Sequence, residues 1–180
     1  MAKEHRVAVI AGDGIGPEVV REGLRVLERM ASIYGFGVRL TRYPFGAEHY
    51  LKTKEVFPDA AFNEIKGHDA ILLGAIGDPR IEVGLLEFGI IAKMRFDLDL
   101  YVNLRPVRLY AEHLCPLKDV TPADVDFTVV RENTEDAYAG MRGFFKKGTP
   151  DEVATQEIIF TRKGVERAIR YAFELARARG

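Results

Sequence analysis

Residues 6–18 read Arg6-Val7-Ala8-Val9-Ile10-Ala11-Gly12-Asp13-Gly14-Ile15-Gly16-Pro17-Glu18. The first six are short, β-branched and apolar, and they stop at a glycine, which is the pattern of a buried strand. Gly12 to Gly16 form a flexible turn. Pro17 suits the first position of a helix, where its missing N–H has no partner in any case. Val20, Leu24, Leu27 and Ala31 then recur at +4, +3 and +4, one face of a helix that ends before Gly35. Working outward, Val38 to Phe45 reads as a second strand. Phe57 to Lys66 reads as a helix, and Asp69-Ala70-Ile71-Leu72-Leu73 as another buried strand, stopped by Gly74. Strand, helix, strand, helix, strand is the order of an α/β sheet with parallel strands.

The second half is organised differently. Gly77 to Gly84 is a loop. Gly84 to Phe96 is a predicted helix carrying Leu85, Leu86, Ile90, Ile91 and Met94. Tyr101 to Leu104 and Phe127 to Arg131 are short strands, the first ending before Pro106. Asn133 to Pro150 is glycine-rich and irregular, and Val153 to Phe160 is extended, suited to a hairpin with the segment before it. Thr161 to Arg179 is an amphipathic helix with Val165, Ala168, Ile169, Ala172, Leu175 and Ala176 inward. The α/β alternation gives way to strands and loops near residue 100, so the expected division is a first α/β domain over 1–100 and part of a second over 101–180.

At 180 residues with 47% apolar composition, the chain has material for one full domain or parts of two. A net charge of −1 gives no electrostatic reason to expect nucleic acid or an anionic membrane. Cys115 is the single cysteine, which excludes an internal disulfide and fits a reducing, cytoplasmic setting. The charged start Met-Ala-Lys-Glu-His does not read as a signal peptide, and no apolar run approaches the roughly 20 residues that span a bilayer.

Several groups carry chemistry. The Gly12–Glu18 turn lies between a strand and a helix, where backbone N–H groups can meet a phosphate. Its glycine spacing is not the dinucleotide fingerprint G-x-G-x-x-G, Pro17 removes a donor, and Glu18 repels an anion. A tight turn opening a helix remains the equal alternative. Gly74-Ala75-Ile76-Gly77-Asp78-Pro79 has the same ambiguity. Arg95, Arg105 and Arg131 each stand at the edge of an apolar stretch, where a lone charge is costly to bury. They either pair with Asp97, Asp99 or Glu132, or converge on a carboxylate ligand that suits their planar fork. Tyr138, seven residues after Arg131, is a candidate proton donor beside such cations. Glu132, Glu135 and Asp136 read as a solvated acidic loop. The four histidines and Cys115 show no metal-ligand spacing.

Four strings in order carry a resemblance: Gly-Asp-Gly-Ile-Gly-Pro-Glu at 12–18, Leu-Leu-Gly-Ala-Ile-Gly at 72–77, Asn-Leu-Arg-Pro at 103–106 and Val-Arg-Glu-Asn-Thr-Glu-Asp-Ala-Tyr at 130–138. Together they resemble the β-decarboxylating dehydrogenases of 3-isopropylmalate, isocitrate and tartrate or D-malate, over nearly the whole chain. The resemblance implies the isopropylmalate-dehydrogenase-like two-domain α/β fold, which is not a Rossmann fold and is incomplete here. It implies NAD-dependent oxidation of a 2-hydroxy dicarboxylate followed by loss of CO₂, assisted by Mg²⁺ or Mn²⁺. Arg95, Arg105 and Arg131 match the arginines that hold the malate carboxylates, and Tyr138 matches the tyrosine that protonates the enol product. Ile15 and the loop Gly74, Ala75, Ile76, Gly77 and Asp78 match the cofactor-side residues.

Isocitrate enzymes of this family place serine and asparagine six and four residues before the first arginine; Gly89 and Ile91 stand there instead. Ile90, Ile91 and Ala92 offer an apolar face suited to an isopropyl group. The implied reaction is therefore 3-isopropylmalate to 2-oxoisocaproate, as in leucine biosynthesis. Tyr-Val-Asn-Leu-Arg-Pro-Val-Arg-Leu at 101–109 keeps a tartrate or D-malate dehydrogenase as the alternative. The family's catalytic lysine, metal-binding aspartates and adenine-binding loop come later than position 180 in members about twice this length, so no metal ligand is expected in this chain. That leaves a further alternative of another class, a non-catalytic carboxylate-binding or regulatory subunit. The segment Tyr138–Glu157 matches the family's intersubunit β-arm and implies a homodimer.

Overall fold

The computed structural model describes residues 3–180. The chain divides into two compact units, one ending at Met94 and the other running from Arg95 to Gly180.

The first unit is built on three parallel strands, β1 (Glu4–Ile10), β2 (Gly37–Tyr43) and β3 (Ala70–Leu73), in the order β2-β1-β3. Central β1 is the run that opens the sequence, and Val7 to Ile10 are all buried. Alternation along the strand sends Val7 and Val9 to one face, where they meet Val20 and Leu24 of helix α1 (Gly16–Tyr34). Leu27 and Ala31, the other predicted inward positions, are half-buried. Each such fully buried aliphatic side chain contributes about 1.5–3 kcal/mol. α1 ends where Gly35 turns left-handed (φ 70°) and donates its N–H to the Ala31 carbonyl at 2.9 Å. A second group of aromatic residues, Phe45, Phe57 and Phe62, packs with ring centroids 4.9 and 5.9 Å apart.

Three details of this unit differ from the sequence reading. Helix α2 (Ala47–Thr53) was not expected; the Asp13 carboxylate accepts its first N–H, from Ala47, at 2.6 Å. Helix α3 occupies Asp59–Lys66, because Pro58 holds an extended backbone at the position before it. The predicted helix 84–96 is helical from Leu85 onward, but its middle is a π-helical turn, Glu87–Ala92, that runs into the α-helix α4 (Lys93–Asp97). Gly89 in that turn meets the side chain of Val56, which a Cβ would displace.

The second unit is an antiparallel ribbon of β4 (Val102–Arg108) and β5 (Asp126–Glu132), a hairpin of β6 (Arg142–Phe145) and β7 (Val153–Gln156), and helix α5 (Arg162–Arg179). β4 runs through Pro106 rather than stopping before it, which a strand paired on one side tolerates. Short 3₁₀ turns lie at Glu112–Leu114 and Asp136–Ala139, the second inside a stretch expected to be irregular. Of the predicted inward face of α5, Ala168 is buried, and Ala172 and Leu175 are half-buried. Val165, Ile169 and Ala176 are exposed, and Gly164 is the other buried residue. Arg179 anchors the far end of α5 on β5 through Asp126 at 2.7 Å and Thr128.

Candidate active site

At the carboxyl ends of the parallel strands, the glycines of residues 12–16 and 74 are consumed by close packing. A Cβ on Gly12 would collide with the Ala75 carbonyl, one on Gly74 with the Ala11 carbonyl, and one on Gly16 with the Ala11 carbonyl and the Ala75 amide. The tight-turn alternative thus accounts for these three glycines. The turn is tied to the loop after β3 by the Asp13 N–H, which donates to the Ala75 carbonyl at 2.6 Å. The Asp13 side chain, buried at 6% exposure, accepts from Gly77 N–H at 3.0 Å as well as from Ala47.

This clasp holds Ile15, 64% exposed, and the loop Gly74, Ala75, Ile76, Gly77 and Asp78 at one end of the sheet, where open α/β sheets bind ligands. Asp78 is itself engaged. Arg80 donates two side-chain bonds to it at 2.7 and 2.8 Å and holds its carboxyl down at about 2. Asp13 was not singled out in the sequence beyond its place in the turn. Its partners lie 34 and 64 residues away, so no local signal marks it.

In the second unit the arginines come together. Asn103 pairs directly opposite Arg131 in the ribbon, and Arg105 lies two residues along β4. Strand alternation therefore places Arg105 and Arg131 on one face. The Arg105 Nε donates to Asn103 Oδ1 at 3.1 Å. Tyr138, in the 3₁₀ turn after β5, lies with its ring centroid 5.0 Å from the Arg131 guanidinium and 5.8 Å from that of Arg95. Arg95 is half-buried, and its pKa is lowered by burial first, then by the charges of Arg131 and Arg105; Tyr138 acts in the opposite sense. Ile91, the remaining predicted substrate residue, is half-buried at the end of the first unit, whereas Ile90 is fully buried and belongs to its core. The apolar face expected from Ile90, Ile91 and Ala92 is therefore reduced to the last two.

Two of the carboxylates offered as ordinary partners for these arginines, Asp99 and Glu132, face another cation. Asp99 accepts from Arg167 at 2.8 Å, and Glu132 lies 3.8 Å from the same guanidinium. Among the described residues no ion pair joins a carboxylate to Arg95, Arg105 or Arg131. The acidic cluster is likewise not a solvated loop. Glu132 accepts the N–H groups of Thr134 and Glu135 at 2.8–3.0 Å and the Thr134 hydroxyl at 2.6 Å. Burial raises its pKa, but these hydrogen bonds outweigh burial and lower it on balance. Glu135 receives the N–H and hydroxyl of Thr161, the residue that caps α5 through Gly164 N–H at 3.0 Å. Asp136 stands at φ 71° and donates its N–H to the Ile159 carbonyl at 2.9 Å. The turn that presents Tyr138 is thereby fixed on both sides.

The first unit thus carries a closely packed loop end on a parallel α/β sheet, and the second carries Arg95 and Arg131 beside Tyr138, with Arg105 on the same strand face as Arg131. The chain belongs to the isocitrate/isopropylmalate dehydrogenase family, whose sequence model matches residues 6–180. It is 53% identical over 178 residues to a 3-isopropylmalate dehydrogenase of Thermobifida fusca, covering 99% of this chain and 50% of the relative. It is 49% identical over 180 residues to one from Bifidobacterium longum, covering 99% and 51%. Among solved structures it is similar to isocitrate dehydrogenase from Methylococcus capsulatus (TM-score 0.79, 33% identity, 97% of this chain and 48% of that one). It is also similar to a β-decarboxylating dehydrogenase from Thermococcus kodakarensis (TM-score 0.63, 31% identity, 98% and 46%). The fold is the α/β fold of these dehydrogenases, and the chain spans about half the length of the curated relatives it matches.

Proposed function

We propose that this chain forms the substrate-holding part of an NAD-dependent, decarboxylating dehydrogenase acting on 3-isopropylmalate. The observation that carries this reading is the pair of guanidinium groups, Arg95 and Arg131, beside the Tyr138 ring, with Arg95 disfavoured by burial and by the charges of Arg131 and Arg105. Such a group of like charges is costly until an anion arrives, and a dicarboxylate supplies two. In this reading Arg95, Arg105 and Arg131 bind and orient the malate carboxylates. After CO₂ leaves, they stabilise the enolate oxygen electrostatically. Tyr138, open to solvent on one side and flanked by cations on the other, delivers the proton to the enolate carbon. Ile91, four residues before Arg95 in sequence, meets the isopropyl group.

The first unit is the cofactor side. The apolar surface of Ile15 and the loop from Gly74 to Asp78, held by Asp13, fit a flat, partly apolar ligand, and these residues would hold NAD⁺. When bound, NAD⁺ supplies the hydride acceptor. Among the described residues no group of three His, Cys, Asp or Glu side chains is arranged to hold a metal ion, and no step here is routed through Mg²⁺ or Mn²⁺. Among the same residues no helix is long and apolar enough to cross a membrane, and we read the protein as a cytoplasmic enzyme of leucine biosynthesis. The homodimer is supported by the β6–β7 hairpin, whose Phe144, Phe145 and Val153 are exposed, because a two-stranded hairpin is marginal until it packs against something.

Titration calorimetry with 3-isopropylmalate, D-malate and isocitrate tests the reading. Tightest binding of 3-isopropylmalate is expected, with at least a tenfold loss in each of Arg95→Ala, Arg105→Ala and Arg131→Ala. Unchanged affinity in all three variants overturns it. NADH formation from 3-isopropylmalate, NAD⁺ and Mn²⁺ separates a catalytic chain from one that only binds.

A further inference from the structure

We infer that Arg167, on α5, is a positioning residue for the arginine–tyrosine site, acting as a strut between the two segments that deliver it. The inference rests on the reading of Arg95, Arg105, Arg131 and Tyr138 as the dicarboxylate site, and it adds a residue that touches none of them.

Arg167 is mostly withdrawn from solvent, with its side chain 19% exposed. One arm of its guanidinium donates to Asp99 Oδ2 at 2.8 Å. The other donates to the Thr134 hydroxyl at 2.7 Å, and the plane lies 4.5 Å from the centre of the Tyr101 ring. Asp99 belongs to the tight turn that closes α4. Its own N–H bonds the Phe96 carbonyl at 3.1 Å, and Leu100 N–H bonds the Arg95 carbonyl at 2.9 Å. Asp99 holds a left-handed backbone (φ 48°) to make that turn, a conformation few non-glycine residues adopt. Thr134 belongs to the other segment, between Arg131 and Tyr138, and its hydroxyl donates in turn to Glu132. A single planar fork therefore spans the turn behind Arg95 and the turn before Tyr138. Lysine, a point charge without a fixed fork, reproduces only part of this.

The electrostatics separate Arg167 from the other three. Its pKa is raised, first by the hydrogen bond to Asp99 and then by the charges of Asp99, Glu132 and Glu135. It is a charge-paired cation, bonded to Asp99 and 3.8 Å from Glu132, two of the carboxylates that stand close to Arg95 and Arg131 in sequence.

The test uses the full chain with Arg167→Met, Arg167→Lys and Thr134→Val, and Arg131→Ala as reference. The readouts are 3-isopropylmalate affinity by calorimetry and the ¹³C-labelled ring signal of Tyr138 by NMR, assigned with Tyr138→Phe. The expected result for Arg167→Met is a shifted Tyr138 signal and affinity reduced about tenfold or more. Arg167→Lys should recover part of both, and Thr134→Val should shift the Tyr138 signal with a smaller affinity loss. If Arg167→Met unfolds the chain, Arg167→Lys and Thr134→Val decide. Native Tyr138 signal and affinity in both, while Arg131→Ala loses binding, overturn the strut and leave the site reading intact. If Arg131→Ala also binds normally, the site reading fails, and the positioning role falls with it.

Discussion

Replacing Asp13 should loosen the carboxyl end of the parallel sheet more than any other single change outside the hydrophobic core. Its carboxylate is buried and receives two backbone N–H groups from distant segments, Ala47 at 2.6 Å and Gly77 at 3.0 Å. Hydrogen bonds to charged groups contribute roughly 1.5–3 kcal/mol each. Asp13→Ala, which removes both acceptors and leaves two donors unpaired, should therefore cost about 3–6 kcal/mol. That is a large fraction of the roughly 5–15 kcal/mol by which domains are stable. Asp13→Asn keeps one acceptor and turns an NH₂ group toward the other donor, so about half that loss is expected. Urea unfolding followed by circular dichroism gives the free energies. Hydrogen exchange at the Gly77 and Ala47 amides locates them, each about tenfold faster per 1.4 kcal/mol of local opening. An Asp13→Ala chain within about 0.5 kcal/mol of the parent, with unchanged exchange at both amides, would refute the clasp.

Gly164→Ala should cost about 1–2 kcal/mol in urea unfolding, because the new methyl displaces the Glu135 carboxylate that receives Thr161 at the start of α5. Gly23→Ala, in α1 with nothing near the added methyl, should instead gain about 0.5–1 kcal/mol. Tyr43 is pushed up to about 12 by burial and then by Glu64 beside it. A raised pKa favours the protonated phenol in the fold, so its contribution is complete below about pH 10 and is lost as pH rises through 12. Ultraviolet titration should show a tyrosine component near pH 12 that is absent in Tyr43→Phe. Asp78 behaves oppositely: its pKa of about 2 lies below the unfolded value, so its contribution is present above about pH 4 and lost as pH falls through 2. Arg80→Gln should flatten stability across that acid window.

How far the sequence carried depended on the span of each interaction. β1 and α1 were legible because a strand run and a 3.6-residue period are local signals, and α1 buries Val20 and Leu24 as its period requires. Helix α2 was not legible, since the acceptor for its first N–H is a side chain 34 residues earlier. The π-turn escaped for a similar reason, as Val56 fills the space where a Gly89 side chain would sit. Residues 132–136 look like a solvated acidic loop only while Thr161 and Arg167 are out of view.

The arginines show the same limit from the other side. On the sequence, Asp97, Asp99 and Glu132 all stand close to Arg95 or Arg131, so ordinary ion pairs and a ligand site are equally good readings. Two of those carboxylates, Asp99 and Glu132, are taken up by Arg167, more than 30 residues beyond both of them, which favours the proposed ligand site. With Asp99 and Glu132 engaged by α5, Arg95 is left half-buried among like charges and beside an aromatic ring. A folded chain tolerates that cost in one place when binding an anion recovers it. The proposed carboxylate site therefore rests on the engagement of Asp99 and Glu132 by a fourth arginine as much as on the three arginines themselves.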